Sequence, residues 1–171
     1  MPNWCENQLT VSGATPELRA WLDEGGFSFE RMNPVSSAEA APSNPWTLND
    51  ACCNAWGTKW DLEENLQREV ASQLMEAGCA FFDTAWSPPL AAIDALSKRF
   101  PGETFQLTYC EQGVFFAGVA TFRSGLVSDE EAEDREGLIR IACDVFGADE
   151  QEFDSAPQPN PNLPVFNPNP T

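Results

Sequence analysis

Histidine is absent from the 171 residues. That excludes Ser/His and Cys/His catalysis, the common imidazole metal sites and imidazole proton shuttling. The six cysteines, Cys5, Cys52, Cys53, Cys79, Cys110 and Cys143, form no C-x-x-C pair. The chain therefore lacks both zinc-site spacing and the closely spaced thiolates of an iron–sulfur site, and neither metal nor cofactor is expected. Basic residues are scarce: nine Lys and Arg face 27 Asp and Glu, a net charge of -18. Such a charge opposes sequence-independent attraction to nucleic acid or anionic lipid and favours a partner with a basic surface. No run approaches the ~18 consecutive apolar residues of a membrane span. Met1-Pro2-Asn3-Trp4 has neither the basic start nor the apolar run of a secretory signal. The expectation is a cytoplasmic protein with reduced, mostly buried thiols.

What is present is an ample apolar complement, 42% of the chain, with 12 Phe and 6 Trp, enough for one packed core. Gln8–Ser12 alternates as a strand and stops at Gly13. Thr15-Pro16 predicts an N-cap and first helical residue, with Leu18, Trp21 and Leu22 on one face and Gly25-Gly26 as the stop. Phe27-Ser28-Phe29 reads as a second strand. Residues 34–46 read as a proline-bearing loop and 47–56 as a short helix. Asp61, with Glu64, predicts the cap of a longer helix carrying Leu62, Leu66, Val70 and Leu74. Residues 79–86 form a further strand, and Ser87-Pro88 opens a helix with Leu90, Ile93, Leu96 and Phe100 on its buried side.

Residues 105–111 and 114–122 predict a hairpin closed by Gln112-Gly113, with Tyr109 opposite Phe116 and Leu107 opposite Gly118. Ser128-Asp129-Glu130-Glu131 has the form of a capping box opening an acidic helix, with Leu138, Ile141, Ala142, Val145 and Phe146 on its apolar face. Residues 155–171 are rich in Pro and Asn and read as a disordered tail. The fold class expected is α+β, a ferredoxin-like antiparallel sheet packed with helices, plus the acidic C-terminal helix and the tail. The corresponding divisions are 1–125, with a loop insertion near 30–50, then 126–154 and 155–171.

Two groups of residues are candidates for function. The first lies in segments that mix Trp with polar residues at the ends of elements: Trp4 and Asn7, then Trp56, Lys59, Trp60 and Asp61, then Trp86, with Glu111 at the hairpin tip. Aromatics combined with a few polar groups are what pockets are made of. The plain alternative is core Trp residues with turn and cap residues around them. Carboxylate chemistry by Asp61, Asp83 or Glu111 with Lys59, in a hydrolase, is a third reading. The second group is the acidic surface Asp129, Glu130, Glu131, Glu133, Asp134 and Glu136. Residues 126–171 hold 11 acidic and 2 basic residues, so -9, half the total charge. Carboxylates along a helix can imitate a phosphate row and occupy a basic groove; a solubilising surface is the plain alternative.

The strings N-W-C-E-N-Q-L-T-V-S-G, W-G-T-K-W-D, F-F-D-T-A-W-S-P-P and Y-C-E-Q-G-V-F-F-A-G occur in that order over residues 2–122. Together they resemble the YubB-like family of plasmid and phage proteins with a ferredoxin-like domain, of the Api type. The resemblance implies a mobile-element origin and a bacterial cytoplasmic location, and it transfers no catalytic residue. The stretch M-N-P-V-S-S departs from the I-P-M-P-like turn of the family. The function expected is a non-enzymatic accessory protein of a phage or plasmid that binds a host protein or complex with a basic surface, with no direct contact to nucleic acid or membrane. The alternative is an acidic nucleic-acid mimic acting against a host defence system such as CRISPR or restriction.

Overall fold

The computed structural model describes residues 3–35, 45–132 and 134–153, excluding the side chains of 45–47, 126 and 152. Five strands form one sheet: β1 (Trp4–Ser12), β2 (Cys79–Ala85), β3 (Thr104–Glu111), β4 (Phe116–Arg123) and β5 (Leu126–Glu131). Their order is β2-β1-β3-β4-β5, with every neighbouring pair antiparallel. The helices are α1 (Pro16–Gly25), α2 (Phe29–Met32), α3 (Pro45–Trp56), α4 (Glu64–Ala77), α5 (Leu90–Arg99), α6 (Arg135–Phe146) and α7 (Glu150–Phe153). The fold is α+β and ferredoxin-like, as the periodicities imply. Among the described residues no helix is long and apolar enough to cross a membrane.

Side-chain alternation divides the sheet into two faces. Cys5, Leu9 and Val11 of β1, Ala80 and Phe82 of β2, Phe105, Leu107 and Tyr109 of β3, and Ala120 and Phe122 of β4 enter one core with α1–α5. Cys110 and Ala117 enter a smaller core on the other face with Leu138 and Ala142 of α6 and Phe153 of α7. Helix α1 is built as its sequence predicts: the Thr15 hydroxyl accepts from the Leu18 N–H, Pro16 starts the first turn, and Leu18, Trp21 and Leu22 are buried.

Four local expectations are corrected. Phe27–Phe29 is no strand; Ser28 instead caps α2, and Phe27 and Phe29 enter the same core with ring centroids 6.0 Å apart. Asp61 does not cap α4, which starts behind Glu63. Its carboxylate accepts from the Ser28 hydroxyl (2.7 Å) and the Phe29 and Glu30 N–H groups (2.9 and 3.1 Å), closing the start of α2 from across the chain.

The 105–122 hairpin is present, but its register differs by two residues: Tyr109 lies opposite Gly118 and Leu107 opposite Ala120. The turn is 112–115, closed by the Glu111 carboxylate, which accepts the Gly113 and Val114 N–H groups at 2.8 and 2.6 Å. Gly118 leaves the space that the Tyr109 ring occupies. A slip of two preserves side-chain parity, so Phe105, Leu107 and Tyr109 share the core face with Phe116, whereas Val114 falls in the turn and is exposed.

Ser128–Glu131 is strand β5, not a helix start. Ser124 and Gly125 both have positive φ (52° and 78°) and turn β4 directly into β5, as a two-residue hairpin requires. Helix α6 is capped instead by Asp134, whose carboxylate accepts from the Gly137 N–H at 2.8 Å. The division at 125 thus falls inside a hairpin, and 126–153 continues the sheet and covers its second face. The loop expected over 34–46 and the tail over 155–171 lie largely and wholly outside the described residues, respectively.

Candidate binding surface

The four Trp-bearing and polar segments meet at one end of the sheet. Trp4 is the cross-strand partner of Ala85, and the Trp86 N–H donates to the Asn3 carbonyl at 2.9 Å. The Thr58 hydroxyl donates to the Ala85 carbonyl (2.9 Å) and the Ser87 hydroxyl to the Gly57 carbonyl (2.6 Å). Gly57, at φ 87°, is pressed so closely to that segment that a Cβ would stand 2.8 Å from the Pro88 carbonyl oxygen. The hairpin tip joins them, with Gln112 Nε2 donating to Glu6 Oε2 at 3.0 Å.

Four of the eight residues picked out by sequence build this end rather than face outward. The Asn7 amide is buried and donates to the Cys5 and Phe82 carbonyls and the Thr84 hydroxyl (2.7, 3.2 and 2.9 Å). The Trp56 indole N–H donates to the Asn33 carbonyl at 2.8 Å, and its ring packs 6.2 Å from that of Phe29. Asp61 and Glu111 hold the backbone N–H groups already described. The plain reading as core and turn residues therefore holds for these four. It fails for Trp4, Trp60 and Trp86, which are 53%, 46% and 44% exposed, large values for side chains of this size. Lys59 Nζ lies 5.6 Å from the Trp60 ring centroid. Trp86 has φ 71°, a left-handed backbone that a bulky residue adopts only when its surroundings impose it. Here the imposing contacts are the bond to Asn3 and the turn into Pro88.

The acidic candidates are distributed differently. Asp129, Glu130 and Glu131 sit on the edge strand β5, Asp134 caps α6 and Glu136 lies in its first turn, while Glu133 is outside the described residues. The Asp129 carboxylate accepts from the Tyr109 hydroxyl at 2.9 Å. Burial raises the pKa of Asp129, and the bond from Tyr109 partly offsets this.

A second feature was missed by sequence reasoning. Helix α6 packs on β3 and β4, so the same face of β1 and β2 is left largely open. There a groove of about 220 Å³ is lined by Glu6, Phe81, Asp83, Val145 and Phe146, among others. Glu6 and Asp83 are direct cross-strand partners, and the Phe81 and Phe146 rings meet edge to face at 6.4 Å. Burial raises the Glu6 carboxyl pKa, with Asp83 adding to the rise and Gln112 opposing it; burial raises that of Asp83 as well. The signal for Glu6 was the alternation of N-W-C-E-N, which sends Cys5 and Asn7 inward and Trp4 and Glu6 to the opposite face. Among the described residues no three His, Cys, Asp or Glu side chains are grouped to hold a metal ion. Burial pushes the Cys110 thiol up to about 12, with nearby Glu6, Glu111 and Cys143 adding to the rise.

Residues 55–155 match the family described as the ferredoxin-like domain in Api92-like protein. The match begins in the last turn of α3 and runs past α7, so β1, which pairs with β2 and β3, lies before it. No curated protein and no solved structure matches the chain.

Proposed function

Given that the chain belongs to the family of the ferredoxin-like domain in Api92-like protein, we propose that it is a non-enzymatic accessory protein of a phage or plasmid, of the YubB-like kind, acting in the host cytoplasm by binding a host protein. The observation that carries this reading is the convergence of the four segments on one end of the sheet, where Trp4, Trp60 and Trp86 stay exposed. Exposed Trp is a characteristic anchor of protein interfaces, and water-facing Trp contributes little to the fold. Of the carboxylates in the hydrolase reading, those of Asp61 and Glu111 are engaged by backbone N–H groups, while Asp83 stays exposed. The nucleic-acid-mimic alternative drew on a helical row of acids; with three of them on a strand, it rests on net charge.

Affinity capture from bacterial lysate at ~50 and ~200 mM salt, across which phosphate-like charge contacts weaken steeply, tests the proposal with the wild-type chain and the Trp60→Ala/Trp86→Ala variant. The proposal expects a protein retained at both salt concentrations by the wild type and lost by the variant. Retention of the same protein by the variant would overturn it. Recovery only at low salt, in competition with DNA, would favour the mimic.

A further inference from the structure

We infer that the open half of the second sheet face is a docking groove for an arginine side chain of the partner protein, seated against Phe81 and paired with Glu6 and Asp83. This deepens the binding reading above and rests on it.

The placement follows from register. Trp4 and Glu6 alternate to the same side of β1. Glu6 stands opposite Asp83, and Trp4 opposite Ala85. Phe81, two residues before Asp83, points to the same side and is 48% exposed. The two carboxylates thus lie between an exposed indole and an exposed phenyl ring. Val145 and Phe146, at the end of α6, close the groove beyond Phe81.

This arrangement lacks a cation. Like charges directly opposite one another on neighbouring strands repel, and among the described residues neither Glu6 nor Asp83 has an ion-pair partner. A guanidinium fits the site better than an ammonium: it is flat and weakly hydrated, stacks on aromatic faces and donates to two carboxylates from one fork. The chain uses the same chemistry internally, where the Arg31 guanidinium lies 4.1 Å from the Trp21 ring centroid and donates to the Trp21 and Gly26 carbonyls. Other occupants fit poorly. Residues 154–171 contain no Lys or Arg. A second copy would bring another charge of -18 to the same acidic face.

The test is titration of the full-length, ¹⁵N-labelled chain with the tripeptide acetyl-Ala-Arg-Ala-amide and with its lysine and citrulline counterparts. A single anchored side chain supports a Kd of about 1 mM. The expected result is saturable shifts at the amides of Glu6, Phe81, Asp83 and Phe146 with the arginine peptide, at least about tenfold weaker with citrulline or lysine, a factor resolvable at this affinity. Glu6→Gln/Asp83→Asn, which keeps side-chain shape and whose spectrum reports its own folding, is expected to remove them. Absent shifts, shifts that survive in the double variant, or equal shifts with citrulline would overturn the groove. Equal shifts with lysine would overturn the arginine assignment. Failure here, combined with loss of lysate capture in the Trp60→Ala/Trp86→Ala variant, would sink the groove and leave the binding function standing. Unchanged capture in that variant would sink the binding reading itself.

Discussion

The two faces of the sheet come from the same five strands and are finished in opposite ways. On the first face, five helices close over Leu9, Phe105, Leu107 and Phe122, all at most 1% exposed, and the buried Asn7 amide has its donors satisfied. On the second, α6 covers β3 and β4, while on β1 and β2 Trp4, Phe81 and Asp83 stay exposed and Glu6 is half-buried, bonded to Gln112. One face minimises free apolar and polar surface; the other leaves aromatic rings exposed and sets two carboxylates against each other. A chain that only needed to fold would gain by covering or neutralising these groups, so the contrast separates what builds the protein from what is available to a partner.

The sharpest test of that contrast is truncation of one phenyl ring on each face. Phe105→Ala, at 0% exposure, is expected to cost about 3–5 kcal/mol. Phe81→Ala, at 48% exposure, is expected to cost under about 1 kcal/mol. Urea unfolding of both variants checks this, and similar losses would erase the distinction between the faces.

A smaller effect is expected from neighbouring polar residues of β1. Asn7→Ala leaves the Cys5 and Phe82 carbonyls without their amide donor and is expected to cost about 1–3 kcal/mol. Gln8→Ala, on the open face, should stay within about 0.5 kcal/mol. Equal midpoints in denaturant would show that the buried amide contributes nothing to the first face.

The carboxylate pair gives a change of opposite sign. Glu6→Gln/Asp83→Asn is expected to stabilise the unliganded protein at pH 7 by about 0.5–1 kcal/mol, through removal of cross-strand repulsion. Both folded-state pKa values are raised, so the folded state holds protons more tightly than the unfolded chain. The wild-type deficit is therefore full above the folded pKa values. It shrinks as pH falls through them, and the two proteins should converge only below about pH 4, once the unfolded carboxyls are protonated as well. A gap that does not change between pH 7 and 4 would contradict this. The smallest effect is expected at the rim, where Trp60→Ala should change stability by no more than about 0.5 kcal/mol while removing partner capture.

The sequence made the long elements legible because their signals are local: Thr15-Pro16 with Leu18, Trp21 and Leu22, or the apolar stripe of α5. It misled where a distant group decides the local structure. Phe27-Ser28-Phe29 looks like a strand until Asp61, more than thirty residues on, caps it as a helix. S-D-E-E looks like a capping box until the Ser124-Gly125 turn draws it into the sheet; the S-G pair is the local signal for that turn. The candidate site was legible as four segments but not as side chains. Asn7, Trp56, Asp61 and Glu111 adjoin Trp4, Trp60 and Trp86 in sequence, but burial separates Asn7, Trp56 and Glu111 from them, and hydrogen bonds to the start of α2 separate Asp61. Glu6 stands out only once β1 and β2 are in register and set it opposite Asp83.

The claim that the exposed end binds and the closed face builds can be read in one measurement, hydroxyl-radical oxidation of each Trp in the free chain and in the complex recovered by affinity capture. Trp21 and Trp56, 7% and 6% exposed, serve as internal references. The account predicts that Trp4, Trp60 and Trp86 are oxidised readily in the free chain and protected in the complex, while Trp21 and Trp56 react little in both. Oxidation of Trp4, Trp60 and Trp86 that is as fast in the complex as in the free chain would contradict it.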